Sequence, residues 1–337
     1  MKLDRYYKPK SFIYKGQIQN VQTKIYHYQY SEKVFIENDE LQEKQDSKNY
    51  IQVVGLNDLD KIKEIQTMFQ IEPFIMEDIL SVNQRNKFEY KENYIFSSFT
   101  VLYFDQERKI KKDYMSMLYL ENTVLTFHET KPEYLDALIP LLKEYQEVKS
   151  HSVDLLFYHI LDMITDEHLD VFEALDRKMT LFEEEILESK DMEQEAFYLI
   201  RKQMLQLKNI ISPMYEQLDK MLLRKLPLMH TEHQSYFEDL VDHLQRLDVK
   251  LNQSRDMMRQ LLDLHMNNQS TKMNQIMRTL TLFSAIFIPL SFMTGYFGMN
   301  FHDFGILDQK YAVIIFTVLF LLIALGMLFF FKKKKWF

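Results

Sequence analysis

The feature that most constrains this chain is a long stretch near its C-terminus without a formally charged side chain, residues 280–301. Arg278 precedes the stretch, and Asp303 is the first charged residue after it. A helix of about 20 apolar residues crosses the roughly 30 Å hydrocarbon layer of a membrane. The stretch therefore predicts a transmembrane helix. Gly298 and Asn300 leave the apolar pattern, which indicates a helix end with a polar group at the membrane surface.

A second uncharged run, residues 311–331, follows a short polar loop, and four lysines at 332–335 come directly after it. Positive residues beside a span favour the cytoplasmic side of a membrane. Residues 1–15 are polar and lack the apolar central region of a signal peptide. We therefore expect a multi-pass protein of the cell membrane with both termini in the cytoplasm and residues 301–310 outside.

The rest of the chain predicts an acidic, water-facing body. The formal net charge is -8, and setting aside the four positive lysines of the tail leaves -12. This balance argues against nucleic acid as a partner and is compatible with divalent cations. The chain has no cysteine, which excludes disulfides and thiolate metal sites.

The first part of the body, residues 1–135, has the mixed pattern of an α/β domain. Runs rich in Val, Ile, Tyr and Phe predict strands, and a helical pattern at about residues 59–69 follows the first of them. Glu121 and Asn122 predict a tight hairpin between the last two runs, because asparagine tolerates the left-handed backbone that such turns require. The predicted strands are residues 50–54, 94–104, 114–120 and 123–128.

The second part, residues 136–275, has the composition of long helices. Glycine and proline are absent from residues 141–212 and from residues 228–288, where good helix formers predominate. We expect the first helical region to fold back near residues 189–194. The second would run almost unbroken over about residues 235–297, a length of about 90 Å at 1.5 Å per residue.

One face of the first predicted span differs from the opposite face. Positions three and four residues apart are mostly small or polar, whereas the opposite positions are bulky and apolar. One helix with such a stripe cannot enclose a pore, but several copies related by ring symmetry can. The stripe therefore predicts a pore-lining helix. Its members are Asn274, Met277, Leu280, Thr281, Ser284, Ile288, Ser291 and Gly295.

At the end of this span, Gly298-Met299-Asn300 resembles the signature of the CorA family of divalent-cation channels. Phe-Ile-Pro-Leu-Ser-Phe at residues 287–292 and the ending of four lysines, Trp and Phe fit the same family. The resemblance covers nearly the whole chain. In the soluble part it is carried by residues 53–56, 77–80, 84–85, 87 and 124–127.

The resemblance implies an α+β membrane protein that assembles as a funnel-shaped homopentamer in the lipid bilayer. Mg²⁺ would be both the transported ion and a regulatory ligand. The implied segments are an N-terminal α/β cytoplasmic domain at 1–135, a long-helix stalk at 136–275, a pore-lining span at 276–300, an outer loop at 301–310, a second span at 311–331 and a basic cytoplasmic tail at 332–337.

The resemblance also implies roles for individual residues along the pore. Gly298, Met299 and Asn300 would form an outer selectivity filter, and Asn274 would form a ring at the inner mouth. Met277 and Leu280 would form a hydrophobic constriction, and Asp263 would form an acidic ring further into the funnel.

A regulatory site is implied in the cytoplasmic part. Asp78 and Asp239 match the pair that binds regulatory Mg²⁺ between neighbouring subunits, with Glu77 and Asp166 as further contributors. By themselves, Glu77 and Asp78 at the end of an apolar stretch are typical of a solvated helix turn.

Two departures from the family pattern concern the outer mouth. The family usually has Tyr before Gly-Met-Asn, where this chain has Phe297. Its loop commonly continues with Met-Pro-Glu-Leu, where residues 304–307 read Phe-Gly-Ile-Leu. Asp303 and Asp308 are then the acids of the loop.

Other functions remain open at this point. Co²⁺, Ni²⁺ or Zn²⁺ could be carried by the same architecture, and the imidazole spacing of His230 and His233 could attract zinc, although Gly-Met-Asn favours magnesium. A different class is a membrane-anchored coiled-coil sensor or scaffold without a pore. An enzyme is not expected, because no nucleophile, base and orienting acid stand out together.

Overall fold

The computed structural model describes residues 12–16, 18, 21–41, 47–82, 85–188, 192–224, 228–299 and 310–334. The chain divides into two compact units. Unit 1 comprises Met1–Glu184 and Met192–Arg259, and unit 2 comprises Glu185–Asp191 and Gln260–Phe337.

A mixed sheet of seven described strands forms the centre of unit 1, in the order β2-β1-β3-β7-β6-β5-β4. Only the pair β3 and β7 is parallel among these neighbours, and the other pairs are antiparallel. The strands are β1 (Lys24–Tyr30), β2 (Phe35–Asn38), β3 (Lys48–Val54), β4 (Lys87–Tyr90), β5 (Tyr94–Phe104), β6 (Ile110–Leu120) and β7 (Thr123–His128).

Two short helices cover one face of this sheet. Helix α1 (Leu59–Met68) begins at Asp58, whose carboxylate accepts bonds from the backbone N–H groups of Asp60 and Lys61. Helix α2 (Pro73–Leu80) begins with a proline at its first turn, where the missing N–H is not needed. Their buried isoleucines and leucine join alternate strand residues in one apolar core, which includes Ile62, Ile65, Ile75, Ile79, Leu80, Ile51, Val53, Phe96, Leu118 and Phe127.

Longer helices cover the opposite face. The ring of Tyr119 in β6 stacks on Phe157 at 5.0 Å between centroids, and Phe157 lies 6.0 Å from Phe237. Because side chains alternate along a strand, Tyr119 points away from the core that holds its neighbour Leu118. The helices of the second half are α3 (Leu138–Glu144), α4 (Gln146–Ser150), α5 (Val153–Leu187), α6 (Gln194–Leu223), α7 (Gln234–Phe297) and α8 (Ala312–Lys333).

Most of the predicted elements are confirmed. Helix α7 is continuous over 64 residues and passes through Pro289. The fold-back predicted near residues 189–194 falls partly on residues 189–191, which lie outside the described residues; on either side of them, the rings of Phe182 in α5 and Phe197 in α6 lie 5.5 Å apart. The predictions missed strands β1, β2 and β4. Their short or polar-rich runs have a weak alternating pattern, and pairing with neighbours determines them.

The hairpin at Glu121 and Asn122 is present, because Leu120 pairs with Thr123 across it. The reason given for it was wrong. Asn122 does not have a positive φ; among the described non-glycine residues only Gln70 (φ 50°) and Arg108 (φ 61°) do.

Unit 2 contains two helices long and apolar enough to cross a membrane, the C-terminal part of α7 and α8. The ring centroids of Phe297 in α7 and Phe316 in α8 lie 4.3 Å apart, and Leu282 and Ala312 are buried. Asn268 in α7 donates a side-chain hydrogen bond of 2.9 Å to the carbonyl oxygen of Ile186 at the end of α5.

Candidate ion pathway and regulatory site

The polar stripe lies on one side of α7. Each residue of an α-helix turns by about 100°, so alternating steps of three and four residues keep every member from Asn274 to Gly295 within about a third of the circumference. The bulky positions lie on the other side, where Phe297 contacts Phe316 of α8. The stripe is therefore left without a cover from α8 along most of its length.

The apolar members of the stripe are exposed in the single chain. Met277, Leu280 and Ile288 are 59%, 65% and 67% exposed, although they are the kind of side chain that a folded protein buries. Asn274, Thr281 and Ser291 are also exposed, and Ser284 is half-buried. This face is suited to contact water, lipid or other copies of the chain.

The hydroxyl of Thr281 donates a bond of 2.8 Å to the carbonyl oxygen of Met277. This bond uses its proton within the helix and leaves the hydroxyl oxygen able to accept from a passing ligand or its water. Thr281 therefore presents an acceptor oxygen on the stripe.

Helix α7 ends at Phe297, one residue before the tripeptide. The backbone N–H of Gly298 still donates to the carbonyl oxygen of Thr294 at 2.9 Å, and a Cβ at Gly298 would stand 3.0 Å from the same oxygen. Glycine therefore fits this closing turn better than a larger residue. Met299 is 52% exposed, and Asn300 lies outside the described residues. Asp263, further along α7 in unit 2, is exposed.

In the cytoplasmic part, Asp78 lies at the end of α2 and faces the ammonium group of Lys87 in β4. The Nζ–Oδ2 distance is 2.5 Å, and Lys87 also donates to Glu89 at 2.8 Å. Burial lowers the pKa of Lys87, but its bonds to the two carboxylates outweigh burial, so that pKa is raised. Glu77 points elsewhere and lies 3.4 Å from Lys15. Asp78 is thus held in a local charge network.

Asp239 lies on the first turns of α7, and its carboxylate is 3.7 Å from the Nε2 atom of His243. Asp166 in α5 belongs to the same neighbourhood. Burial raises the pKa of Asp166, and the nearby charge of Asp170 adds to this effect, while His243 opposes it. Burial also raises the pKa of Asp162, with a further contribution from Asp166. Carboxylates from two helices therefore concentrate negative charge here.

The single chain does not form a complete metal site at these positions. Among the residues that the structure describes, no group of three or more His, Asp or Glu side chains is arranged to hold a metal ion. Asp78 and Asp239 each interact with a different basic residue. A site that uses both carboxylates from different copies of the chain is compatible with this arrangement.

No role was predicted for Lys87, Asp162 or His243. A signal existed for His243, because it follows Asp239 by four residues on a predicted helix, which places the two side chains on one face. Nothing local pointed to Lys87, whose partner Asp78 belongs to a different element. The sheet brings them together.

His230 and His233 both bond to Asp154 of α5 and so have a structural role. The Nδ1 atom of His233 lies 2.8 Å from Oδ1 of the buried Asp154, and the backbone N–H of His230 donates to Oδ2 of the same residue at 3.0 Å. His233 is itself buried. These bonds connect the start of α7 to α5 and leave His233 poorly placed to bind a zinc ion.

Comparisons with known proteins agree on one family. The model of the CorA-like Mg²⁺ transporter protein family matches residues 49–333. The chain is 29% identical over 290 residues to the cobalt/magnesium transport protein CorA of Thermotoga maritima, covering 85% of this chain and 83% of that protein. It is 25% identical over 177 residues to the zinc transport protein ZntB of Yersinia enterocolitica, covering 52% of this chain and 54% of that protein.

Among solved structures, the complete CorA magnesium transporter from Methanocaldococcus jannaschii has the same fold. The TM-score is 0.81 at 21% identity, and the match covers 94% of this chain and 100% of the other. The family match begins within β3 and extends to α8, so it includes strands β3 to β7, the long helices, the stripe and both apolar helices. On these grounds the chain belongs to the CorA-like Mg²⁺ transporter family of membrane proteins.

Proposed function

We propose that this protein is a Mg²⁺ channel of the cell membrane, assembled as a homopentamer with its pore lined by the stripe of α7. The observation that carries this proposal is the stripe itself, which is aligned over about six turns and is not covered by α8. A plain membrane anchor has no use for aligned polar positions beside exposed Met277 and Leu280. Ring symmetry would enclose the stripe and give these side chains a common interior.

The chemistry of the ion supports passage in a hydrated form. Mg²⁺ requires octahedral oxygen ligands and gives up its water reluctantly, so a channel gains little by removing that water. A ring of Asn300 carboxamide oxygens would accept hydrogen bonds from the bound waters, next to Gly298 and Met299. Met277 and Leu280 would close the path by excluding water when the ring is narrow.

The membrane potential is a sufficient driving force. A divalent cation that moves inward gains about 4.6 kcal/mol per 100 mV, at about 2.3 kcal/mol per charge. The proposed orientation places both termini and the acidic unit 1 in the cytoplasm, in accordance with the lysines at 332–335.

For regulation, we propose that cytoplasmic Mg²⁺ connects Asp78 of one subunit to Asp239 of the next, with Glu77 and Asp166 close by. The ion would cancel the repulsion between carboxylates and hold the ring closed. When internal Mg²⁺ falls, repulsion would return and the pore would open. Burial is the main cause of the raised pKa of Asp166, and the like charge of Asp170 adds to it, which supports repulsion between carboxylates in this region.

The flux experiment uses purified protein in liposomes loaded with a Mg²⁺-sensitive dye, under an inside-negative potential and at low internal Mg²⁺. We expect potential-driven Mg²⁺ uptake that is abolished by Asn300→Ala. Asn93→Ala makes the same chemical change at an exposed turn of unit 1 and is expected to leave uptake intact. Absence of flux for Mg²⁺, Co²⁺, Ni²⁺ and Zn²⁺ would support the sensor or scaffold instead.

A second candidate is transport of another divalent ion, Zn²⁺ in particular, because the match to ZntB spans half of this chain. The same liposomes with dyes for Zn²⁺ and Co²⁺ separate the candidates. Flux of Zn²⁺ without flux of Mg²⁺ would mean that the proposed pore carries zinc and not magnesium.

The regulatory proposal has its own test in these liposomes. In the double variant Asp78→Asn, Asp239→Asn, we expect the internal Mg²⁺ concentration that halves the flux to rise by about tenfold or more. The reason is that the two carboxylate charges that would bind the ion are gone. The control variant Asp60→Asn, Asp136→Asn removes two exposed carboxylates elsewhere in unit 1. Unchanged inhibition in the first variant would contradict the proposed site.

A further inference from the structure

A groove of about 740 Å³ lies within unit 1, between α6 and the edge of the sheet formed by β4, β5 and β6. Its volume is in the range of about 300–1,000 Å³ that is usual for small-molecule sites. This volume is much larger than one inorganic phosphate requires. The position and size of this groove point to a ligand with several functional groups.

The walls of the groove are held together by buried polar contacts. The side-chain amide of Asn86 donates to the carbonyl oxygen of Ile210 in α6 at 3.0 Å, and its oxygen accepts from the backbone N–H of Thr100 in β5 at 2.8 Å. Tyr90 donates to the carbonyl oxygen of Gln217 at 3.3 Å. Because both walls are anchored at the sheet edge, the groove exists before any ligand arrives.

Three cations that line the groove have no carboxylate partner among the described residues. Arg85 and Lys112 come from the sheet side and Lys202 from α6. None of the three forms an ion pair with a residue in the described part of the chain, and Lys112 lies only over the ring of Tyr114, at 4.5 Å. A chain with a net charge of -8 therefore has a locally positive concave surface.

The two acids of the lining do not cancel this charge. Glu89 interacts with Lys87 at 2.8 Å and with Lys91 at 3.8 Å. Glu216 lies 3.8 Å from Lys220 on the next turn of α6. Glu89 shares Lys87 with Asp78 and Lys91 with Glu72. The lining still holds four cations, Arg85, Lys87, Lys112 and Lys202, against these two acids, so it keeps a net positive charge.

We propose that this groove binds a small anion that carries two or more phosphate groups, such as a nucleoside di- or triphosphate. The guanidinium group of Arg85 can bind phosphate oxygens in pairs, and the lysines on opposite walls supply point charges for adjacent phosphates. The carboxamides of Gln206 and Asn209 on α6 offer donors and acceptors for a base or a sugar. This function does not depend on ion transport.

The experiment measures binding to the purified full-length protein in detergent micelles by equilibrium dialysis. The probes are ATP, pyrophosphate and adenosine, with EDTA present so that the phosphates are free of Mg²⁺. We expect saturable binding of ATP that weakens with salt, because exposed charges are screened. The double variant Lys112→Gln, Lys202→Gln is expected to lose about tenfold or more in affinity.

The matched control is Lys33→Gln, Lys178→Gln, which removes two exposed positive charges outside the groove and is expected to bind ATP like the unmodified protein. Circular dichroism establishes that both double variants are folded. Lys202→Glu is a further variant on the exposed face of α6, and its charge reversal is expected to weaken ATP binding more than the loss of the charge does.

The probes distinguish the sources of the phosphate chemistry. Binding of pyrophosphate equal to that of ATP supports the site and assigns recognition to the phosphates alone. Stronger binding of ATP than of pyrophosphate also supports the site and shows that the base and sugar contribute to recognition. The proposal is overturned if ATP does not bind saturably, if adenosine binds as well as ATP, or if the groove variant retains the affinity of its control.

Discussion

The two units of this chain treat apolar side chains in opposite ways. In unit 1, Ile62, Ile65 and Tyr50 have no exposed surface, and two layers of helices cover the sheet. In unit 2, Met277, Leu280 and Ile288 of α7 are more than half exposed. Unit 1 buries its own core, whereas unit 2 presents apolar surface that one chain does not cover.

The difference follows from the solvent that each unit requires. Burial away from water stabilises unit 1 by about 25 cal/mol for each Å² of apolar surface. Within a bilayer this gain disappears, because lipid is as apolar as leucine, and small or polar residues then direct helices to one another. The stripe is therefore a part of unit 2 that water, lipid or other copies of the chain would have to cover.

The largest expected effect comes from replacing an isoleucine with alanine in each unit and comparing the two variants. Ile65→Ala should destabilise unit 1 by about 2–5 kcal/mol, because it leaves a cavity in a fully buried core. Ile288→Ala should change the stability of unit 1 by less than about 0.5 kcal/mol, because its side chain lies in the other unit. Hydrogen exchange of peptides from the sheet measures both. Equal loss of protection in the two variants would break the comparison between the units.

A smaller effect concerns a buried carboxyl of unit 1. Asp113 is 7% exposed and accepts a bond of 3.0 Å from the hydroxyl of Tyr134, and burial raises its pKa from 3.8 to about 6. Because the folded-state value is the higher one, this group favours folding fully below about pH 4, and that contribution is lost as the pH rises through about 6.

Asp113→Asn keeps an acceptor for Tyr134 and removes the buried charge. We expect the substitution to increase the free energy of unfolding of unit 1 by about 2–3 kcal/mol more above about pH 6 than it does near pH 4. Melting temperatures at about pH 4 and about pH 8 measure this dependence. Asp136→Asn, at an exposed position, is the control, and parallel pH profiles for the two variants would contradict the assignment.

The smallest expected effect is that of an ion pair in unit 1 on the inhibition of ion flux by Mg²⁺. Lys87 neutralises part of the charge on Asp78, so Lys87→Gln should strengthen Mg²⁺ binding at the proposed regulatory site. We expect the internal Mg²⁺ that halves the flux to fall by about two- to fivefold, or about 1 kcal/mol. Lys91→Gln, whose partner Glu72 lies 2.8 Å away, is the control. A rise in the half-inhibiting concentration would mean that Lys87 supports inhibition instead.

Much of the architecture could be predicted from local pattern. The strand at residues 94–104 was predicted with the bounds of β5, and the continuous helix to Phe297 followed from composition and the absence of breakers. Strands β1 and β4 could not be predicted, because short polar-rich strands depend on their neighbours. The hairpin at Asn122 shows that a correct element can follow from an incorrect reason.

The candidate sites divide in the same way. Periodicity alone aligned Asn274, Thr281 and Ser291 on one face of α7, because helical geometry fixes which positions share a face. The roles of Gly298, Met299 and Asn300 still rest on resemblance and await the flux experiment. The groove beneath α6 had no local signal, because Arg85 and Lys202 are more than a hundred residues apart in the chain.

The sequence by itself determined the two membrane helices, the long α7 and the stripe along it, because each depends on residues that are neighbours along one helix. Only the tertiary structure decided that Lys87 faces Asp78, that Asp154 holds the start of α7 through His233, and that Arg85, Lys112 and Lys202 line one groove. The physical reason is that charge pairing and concave surfaces depend on distances in space, which sheet order and helix packing set.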